Sequence, residues 1–160
     1  TEAGFGADLG AEKFIDIKCR QTGLRPDAAV VVCTIRALKM QGGVPRSQLS
    51  VPDLAALRAG AANLERHVRN LQQFGLTPVV CINRFPDDTE EEMSLVQSIS
   101  ESLGVRAVPA DHWAMGGEGA TELAQAVLDQ MDEGTPEVNF LYEDSLPLAD
   151  KIRAIATRIY

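Results

Sequence analysis

Two segments of this sequence bring chemically useful residue types together at close spacing. In Thr1–Gly10 (TEAGFGADLG), Gly4, Gly6 and Gly10 accompany the acids Glu2 and Asp8 and a single aromatic, Phe5. Glycine has no Cβ, so backbone here can approach a ligand closely, and an aromatic ring between two glycines is poorly covered by its neighbours and free to stack on a flat ring. As a bare pattern it also reads as a flexible lead-in to a helix. In Thr34–Gly43 (TIRALKMQGG), a strand delivers Thr34, Arg36 and Lys39 to one edge of a sheet. Arg offers a planar fork and Lys a point charge, so the pair suits a carboxylate or phosphate. By spacing alone both also read as ordinary surface cations.

Two more segments follow apolar runs. Cys81–Asp88 (CINRFPDD) carries Asn83 and Arg84 into a turn. It is similar in part to the base-reading N-K-x-D element of GTPases, but Arg84 replaces the lysine and Phe85-Pro86 precede Asp87. A guanine preference does not follow, and a Pro-Asp turn is the plainer reading. Asp111–Ala120 (DHWAMGGEGA) holds the only tryptophan, Trp113, beside His112, with Gly116, Gly117 and Gly119 next to a helix N-terminus. His112 has no second His or Cys at ligand spacing. His67 lies among Glu65, Arg66 and Arg69, which reads as a solvated helix face without a role. The pattern G-x-x-x-x-G-K-[ST], which cradles nucleotide phosphates, does not occur in the sequence.

The elements that must position these segments are legible from periodicity. Ala28–Ile35 (AAVVVCTI) is an unbroken β-branched run, the pattern of a parallel strand covered on both faces; Thr77–Ile82 is a second and Val105–Pro109 a weaker third. Helices are expected over Leu9–Thr22, ended by Gly23, and over Pro52–Phe74 with Leu54, Leu57, Ala61, Leu64, Val68 and Leu71 on one face. Asp88 or Thr89 caps another, opened by Glu90–Glu92 and ended by Gly104, and Gly119–Met131 and the stretch from Leu148 onward complete the set. Gly42–Ser50 reads as a loose linker. Strands alternating with helices imply an α/β fold, a mostly parallel sheet with helices on both faces, whose ligands gather at the carboxyl ends of the strands.

Size and charge narrow the class. With 160 residues the chain suffices for one core, burying roughly 70% of the surface its unfolded form exposes. A formal charge of −8 with dispersed cations argues against nucleic acid. Its apolar runs fall far short of the about 20 residues that cross a bilayer, and no secretory leader is visible, so a cytoplasmic protein is expected. Cys19, Cys33 and Cys81 lack CxxC spacing and read as structural thiols. The chain opens inside a glycine-rich motif and closes on a helical pattern without a cap, so a single α/β segment excised at both ends is expected.

Read in order, TEAGFGADLGAEKF, DIKCR, VVCTIRALKMQGG, NLERH, INRFPDDT, HWAMGGEGA and FLYEDSLPLADKIRAIATRIY resemble formate–tetrahydrofolate ligase over essentially the whole chain. Cys33 and Gln41 depart from the family's V-x-T-x-R-A-L-K-x-x-G-G signature, where Ala and His or Asn are commoner. The resemblance implies a P-loop-NTPase-like three-layer architecture. It also implies a ligase of one-carbon metabolism that joins formate to tetrahydrofolate at the expense of ATP through formyl phosphate, with Mg2+, a monovalent cation and a homotetramer. It further implies that Glu2, Gly4, Phe5, Gly6, Asp8 and Gly10 line the active-site cleft, Phe5 foremost, and that Thr34, Arg36, Lys39, Asn83, Trp113, Gly116 and Gly117 form its wall. The phosphate loop would lie upstream of Thr1, leaving the isolated chain inactive. A non-catalytic pseudo-ligase or an oligomerisation module is the alternative.

Overall fold

The computed structural model describes all of residues 1–160. Three parallel strands, β1 (Val30–Cys33), β2 (Val79–Asn83) and β3 (Ala107–Ala110), lie side by side in that order. Val31 pairs with Val80 and Val80 with Ala107, so all three strands end at one sheet edge. The fold is α/β, as the alternation of patterns predicts.

Side chains alternate across a strand, and the helices divide accordingly. Val80 and Ile82 face one layer, α2 (Ile35–Gln41), α3 (Leu54–Gln73) and α4 (Glu90–Ser102), where Ile35, Leu38, Leu57, Leu64, Val68, Met93 and Val96 form the main core. On the other face Val79 and Val108 pack on Ala126 of α6 (Thr121–Asp132), which follows the short α5 (His112–Met115). Only one face of β1 is covered: Val32 on the other is 63% exposed. The expectation of burial on both faces fails because β1 is an edge strand, and α6 covers only its two neighbours.

Caps set the boundaries. Asp53, rather than Pro52, starts α3, its carboxylate accepting from the Ala56 N–H at 2.9 Å. Thr89 starts α4 with a reciprocal bond pattern to Glu92, a capping box. The first helix, α1 (residues 7–22), begins before Leu9 and is wound in π turns over Ala7–Ala11 and Phe14–Cys19, with a last α turn at Arg20–Thr22. Such wide turns are rare and recur near functional sites. Helix α2 lies directly on α3. A Cβ on Gly42 would fall 1.9 Å from the Ala56 carbonyl oxygen, and one on Gly60 1.8 Å from that of Leu38. Gly42 is therefore a packing residue rather than the start of a linker.

The closing segment, ending in α7 (Leu148–Arg158), is fastened to α1. Buried Asp16 accepts from the Leu141 N–H at 3.0 Å and from Arg20 at 3.2 Å, and Arg20 also donates to the Tyr142 carbonyl at 2.7 Å. No helix is long and apolar enough to cross a membrane.

The thiols sit in apolar surroundings. Burial raises Cys19 and Cys81, and burial, aided by Cys81 and Asp88, pushes Cys33 up to about 12. The thiolate is the reactive form. Mass-spectrometric readout of labelling near pH 8 should therefore find all three unmodified in the folded protein and modified after denaturation; rapid native labelling of Cys33 would contradict this environment.

Candidate functional site

The glycine-rich opening folds back over the start of α1. The Gly6 carbonyl accepts from the N–H groups of Leu9 at 3.1 Å and Gly10 at 2.8 Å, and the Gly4 carbonyl covers Gly10 so closely that a Cβ there would lie 1.9 Å from its oxygen. The turn lifts Phe5 into solvent. The residue is 89% exposed, and it is the only non-glycine in the left-handed region, at φ 69°. Such strain persists where surrounding structure over-determines it, often at ligand sites.

Beneath the turn lies a cavity of about 950 Å³, bounded by α1, β1, α2 and α3. Most of its lining is apolar; Glu2, Arg25, Thr34, Gln41, Asn63 and His67 are among its polar groups, and Phe5 and Gly6 also line it. A large cavity with a few convergent polar groups is the usual shape of a small-molecule site. A shallower groove on the other side of the turn brings Lys13 and Lys18 near Glu2 and Phe5.

The remaining wall candidates part company. Strand β1 ends at Cys33, so Thr34 caps α2, accepting from the Ala37 N–H at 3.1 Å, while Arg36 and Lys39 ride on the helix. Arg36 reaches sideways to Asp87 at 2.7 Å and stacks 4.4 Å from the centre of the Phe85 ring. Lys39 turns inward. It is 1% exposed, with Nζ 2.9 Å from Glu92 Oε1 and 3.0 Å from the Val51 carbonyl. An internal ion pair thus replaces the anion contact expected of Lys39, because Glu92 on α4 supplies a fixed carboxylate inside the core.

Asn83 ends β2 and is half-buried, at the same sheet edge as Thr34. The turn after it is closed by Asp88, which accepts from the Phe85 N–H at 2.8 Å; burial raises this carboxyl, with the Glu92 charge adding to it. Trp113, 80% exposed on α5, together with Gly116 and Gly117, follows β3 at this edge but lies outside the cavity lining.

Sequence reasoning missed His67. It is not a solvated helix residue but a cavity residue, its Nδ1 3.8 Å from Asp8 Oδ1 and its ring against Gly6. The signal was its spacing from Asn63, four positions earlier on α3, which puts the two polar groups on one face beside the apolar stripe. Asp8 enters the site only through this contact.

The family model described as formate–tetrahydrofolate ligase matches residues 1–160. The formate–tetrahydrofolate ligase of Maricaulis maris is 56% identical over 160 residues, that of a Sphingobium species 55% and that of Paracoccus denitrificans 56%. Each alignment takes in 100% of this chain and 29% of the relative, so the chain spans under a third of the length of those curated proteins. With every one of its residues inside the family model, the chain belongs to the formate–tetrahydrofolate ligase family.

Proposed function

We propose that this chain supplies one wall of the active-site cleft of a longer ATP-dependent ligase. That enzyme makes 10-formyltetrahydrofolate from formate, ATP and tetrahydrofolate through formyl phosphate. The observation that carries the reading is the exposed, strained Phe5 over a cavity in which the polar groups Glu2, Thr34, Gln41, Asn63 and His67 converge from the opening turn, from α2 with its cap and from α3. A flat, exposed ring on a rigid turn suits stacking on a planar heterocycle such as the pterin of tetrahydrofolate. Glu2, Gly4, Gly6, Asp8 and Gly10 shape the turn, with Thr34, Arg36, Asn83, Trp113, Gly116 and Gly117 as outer wall positions.

Formate is a poor electrophile, and phosphorylation by ATP gives it a leaving group for attack by the folate amine. The residues of this chain do not by themselves fit the phosphates or their metal. The sequence lacks a phosphate loop, and no group of three or more His, Cys, Asp or Glu gathers where it could hold a metal ion. Mg2+, a monovalent cation, a homotetrameric assembly and a cytoplasmic setting belong to the same proposal through family membership.

The test compares ATP- and formate-dependent production of formyltetrahydrofolate by this chain and by the protein extended to the length of its relatives. Turnover in the extended protein alone is the expected result. Inactivity of both moves the assignment to a non-catalytic module of the same fold.

A further inference from the structure

Gly6 occupies a slot between two side chains that come from different helices. A Cβ placed on it would lie 2.4 Å from Asp8 Oδ1 and 2.5 Å from His67 Cε1, with His67 Nε2 at 3.0 Å. The carboxylate and the imidazole therefore grip the backbone of the turn at the residue next to Phe5. His67 is anchored below on α3, between Leu64 and Val68, both buried, and so cannot follow the turn if it moves. Its Nδ1 is itself buried and has no hydrogen-bond partner, and Asp8 Oδ1 stands 3.8 Å away. Buried polar atoms are nearly always paired. A movement of roughly 1 Å in the turn would bring this pair to hydrogen-bonding distance, and the same movement would displace Phe5.

We propose that His67 is a positioning residue: with Asp8 it clamps Gly6 and so sets the height and tilt at which Phe5 meets the bound ring. It acts through the turn and need not touch the reacting atoms. The groups facing it are Asp8 from α1, Asn63 from its own helix, and the Gly6 backbone, while Glu2, Thr34 and Gln41 share the cavity. None of these offers Nδ1 a bond as the turn now stands. This inference rests on the reading of Phe5 as a ligand contact, and its test separates the two.

In the extended protein, His67→Ala is expected to lower kcat/KM for tetrahydrofolate by about tenfold or more, a typical cost of misplacing a group by a fraction of an ångström to one ångström. His67→Asn keeps a nitrogen or oxygen near the Nδ1 position and should restore most of it. Combined with Phe5→Ala, His67→Ala should add little, since both act on one contact and a double-mutant cycle exposes that coupling. Hydrogen exchange gives a readout independent of catalysis. The Leu9 and Gly10 amides, which donate to the Gly6 carbonyl, should exchange about tenfold faster in His67→Ala while β2 amides do not.

Additive losses at positions 5 and 67, or no rescue by Asn, or unchanged exchange at Leu9 and Gly10, would overturn the clamp. If the wild-type extended protein makes no formyltetrahydrofolate, the proposed function fails, and the exchange measurement alone still decides whether His67 holds the turn.

Discussion

Lys39→Met in the extended protein is expected to cost about 3–5 kcal/mol of unfolding free energy, the usual result of leaving one member of a buried ion pair without its counter-charge. Glu92, itself fully buried, would be left with only N–H and hydroxyl partners: the amide of Asp53 at 3.2 Å and Thr89 through both its amide and its hydroxyl. Pairing Lys39→Met with Glu92→Leu should recover most of the loss, because an apolar pair of similar volume carries no desolvation penalty. The sign of the pH dependence is also fixed. Burial alone would raise the Glu92 carboxyl, but the Lys39 ammonium and the hydrogen bonds from Thr89 and Asp53 outweigh it and hold the group below its ordinary range.

A depressed folded-state value means that stabilisation is fully present above the unfolded pKa and is lost as pH falls through the folded one. Glu12, Asp16 and Asp88 run the other way: raised first by burial, they contribute stability below their unfolded pKa that is lost as pH rises through the raised folded value. Denaturant titrations across acid pH should show a shallower acid loss in the double variant than in wild type. A single Lys39→Met variant as stable as wild type would mean that the pair does not form.

Phe5→Ala is expected to lower ligase turnover on the order of 100-fold with an almost unchanged unfolding midpoint. At 89% exposure the ring contributes little buried area to lose. Its left-handed backbone costs on the order of 1–2 kcal/mol for a residue with a Cβ, so Phe5→Gly should be no less stable than wild type and still poorly active. Thermal stability and initial rates measured on the same preparations decide the matter. A collapse of stability in step with activity would identify Phe5 as a core residue and defeat its assignment to the ligand.

The sheet was legible because β-branched runs between glycine-ended amphipathic patterns leave few alternatives. The prominence of Phe5 was legible too, since its glycine neighbours have no side chains to cover it. Lys39 was not. Whether a lysine in the last turn of a short helix points to solvent or to the interior depends here on a carboxylate at the start of a different helix, and nothing near Lys39 announces Glu92. Glu92 was itself read as one of three acids favouring a helix N-terminus, a role that Glu90 and Glu91 fill from the surface while Glu92 turns inward. His67 was hidden by its charged sequence neighbours, which occupy the opposite side of α3. Local composition describes a helix's average exposure; a cavity under a turn from another segment is a tertiary fact.

The mutual contact of Gly42 and Gly60 has a consequence for how this protein can be rebuilt. Each helix seats a carbonyl in the space the other leaves vacant, at Ala56 and at Leu38, so the pair behaves like two keyed shafts with one assembly position. A chimaera that exchanges α2 with a homologue while keeping α3 will join cleanly only if both keys come from the same parent. Breakpoints for recombination therefore belong outside the stretch from residue 34 to residue 73, so that the cap at Thr34 travels with it, while Glu92 on α4, the partner of Lys39, has to be matched to the same parent.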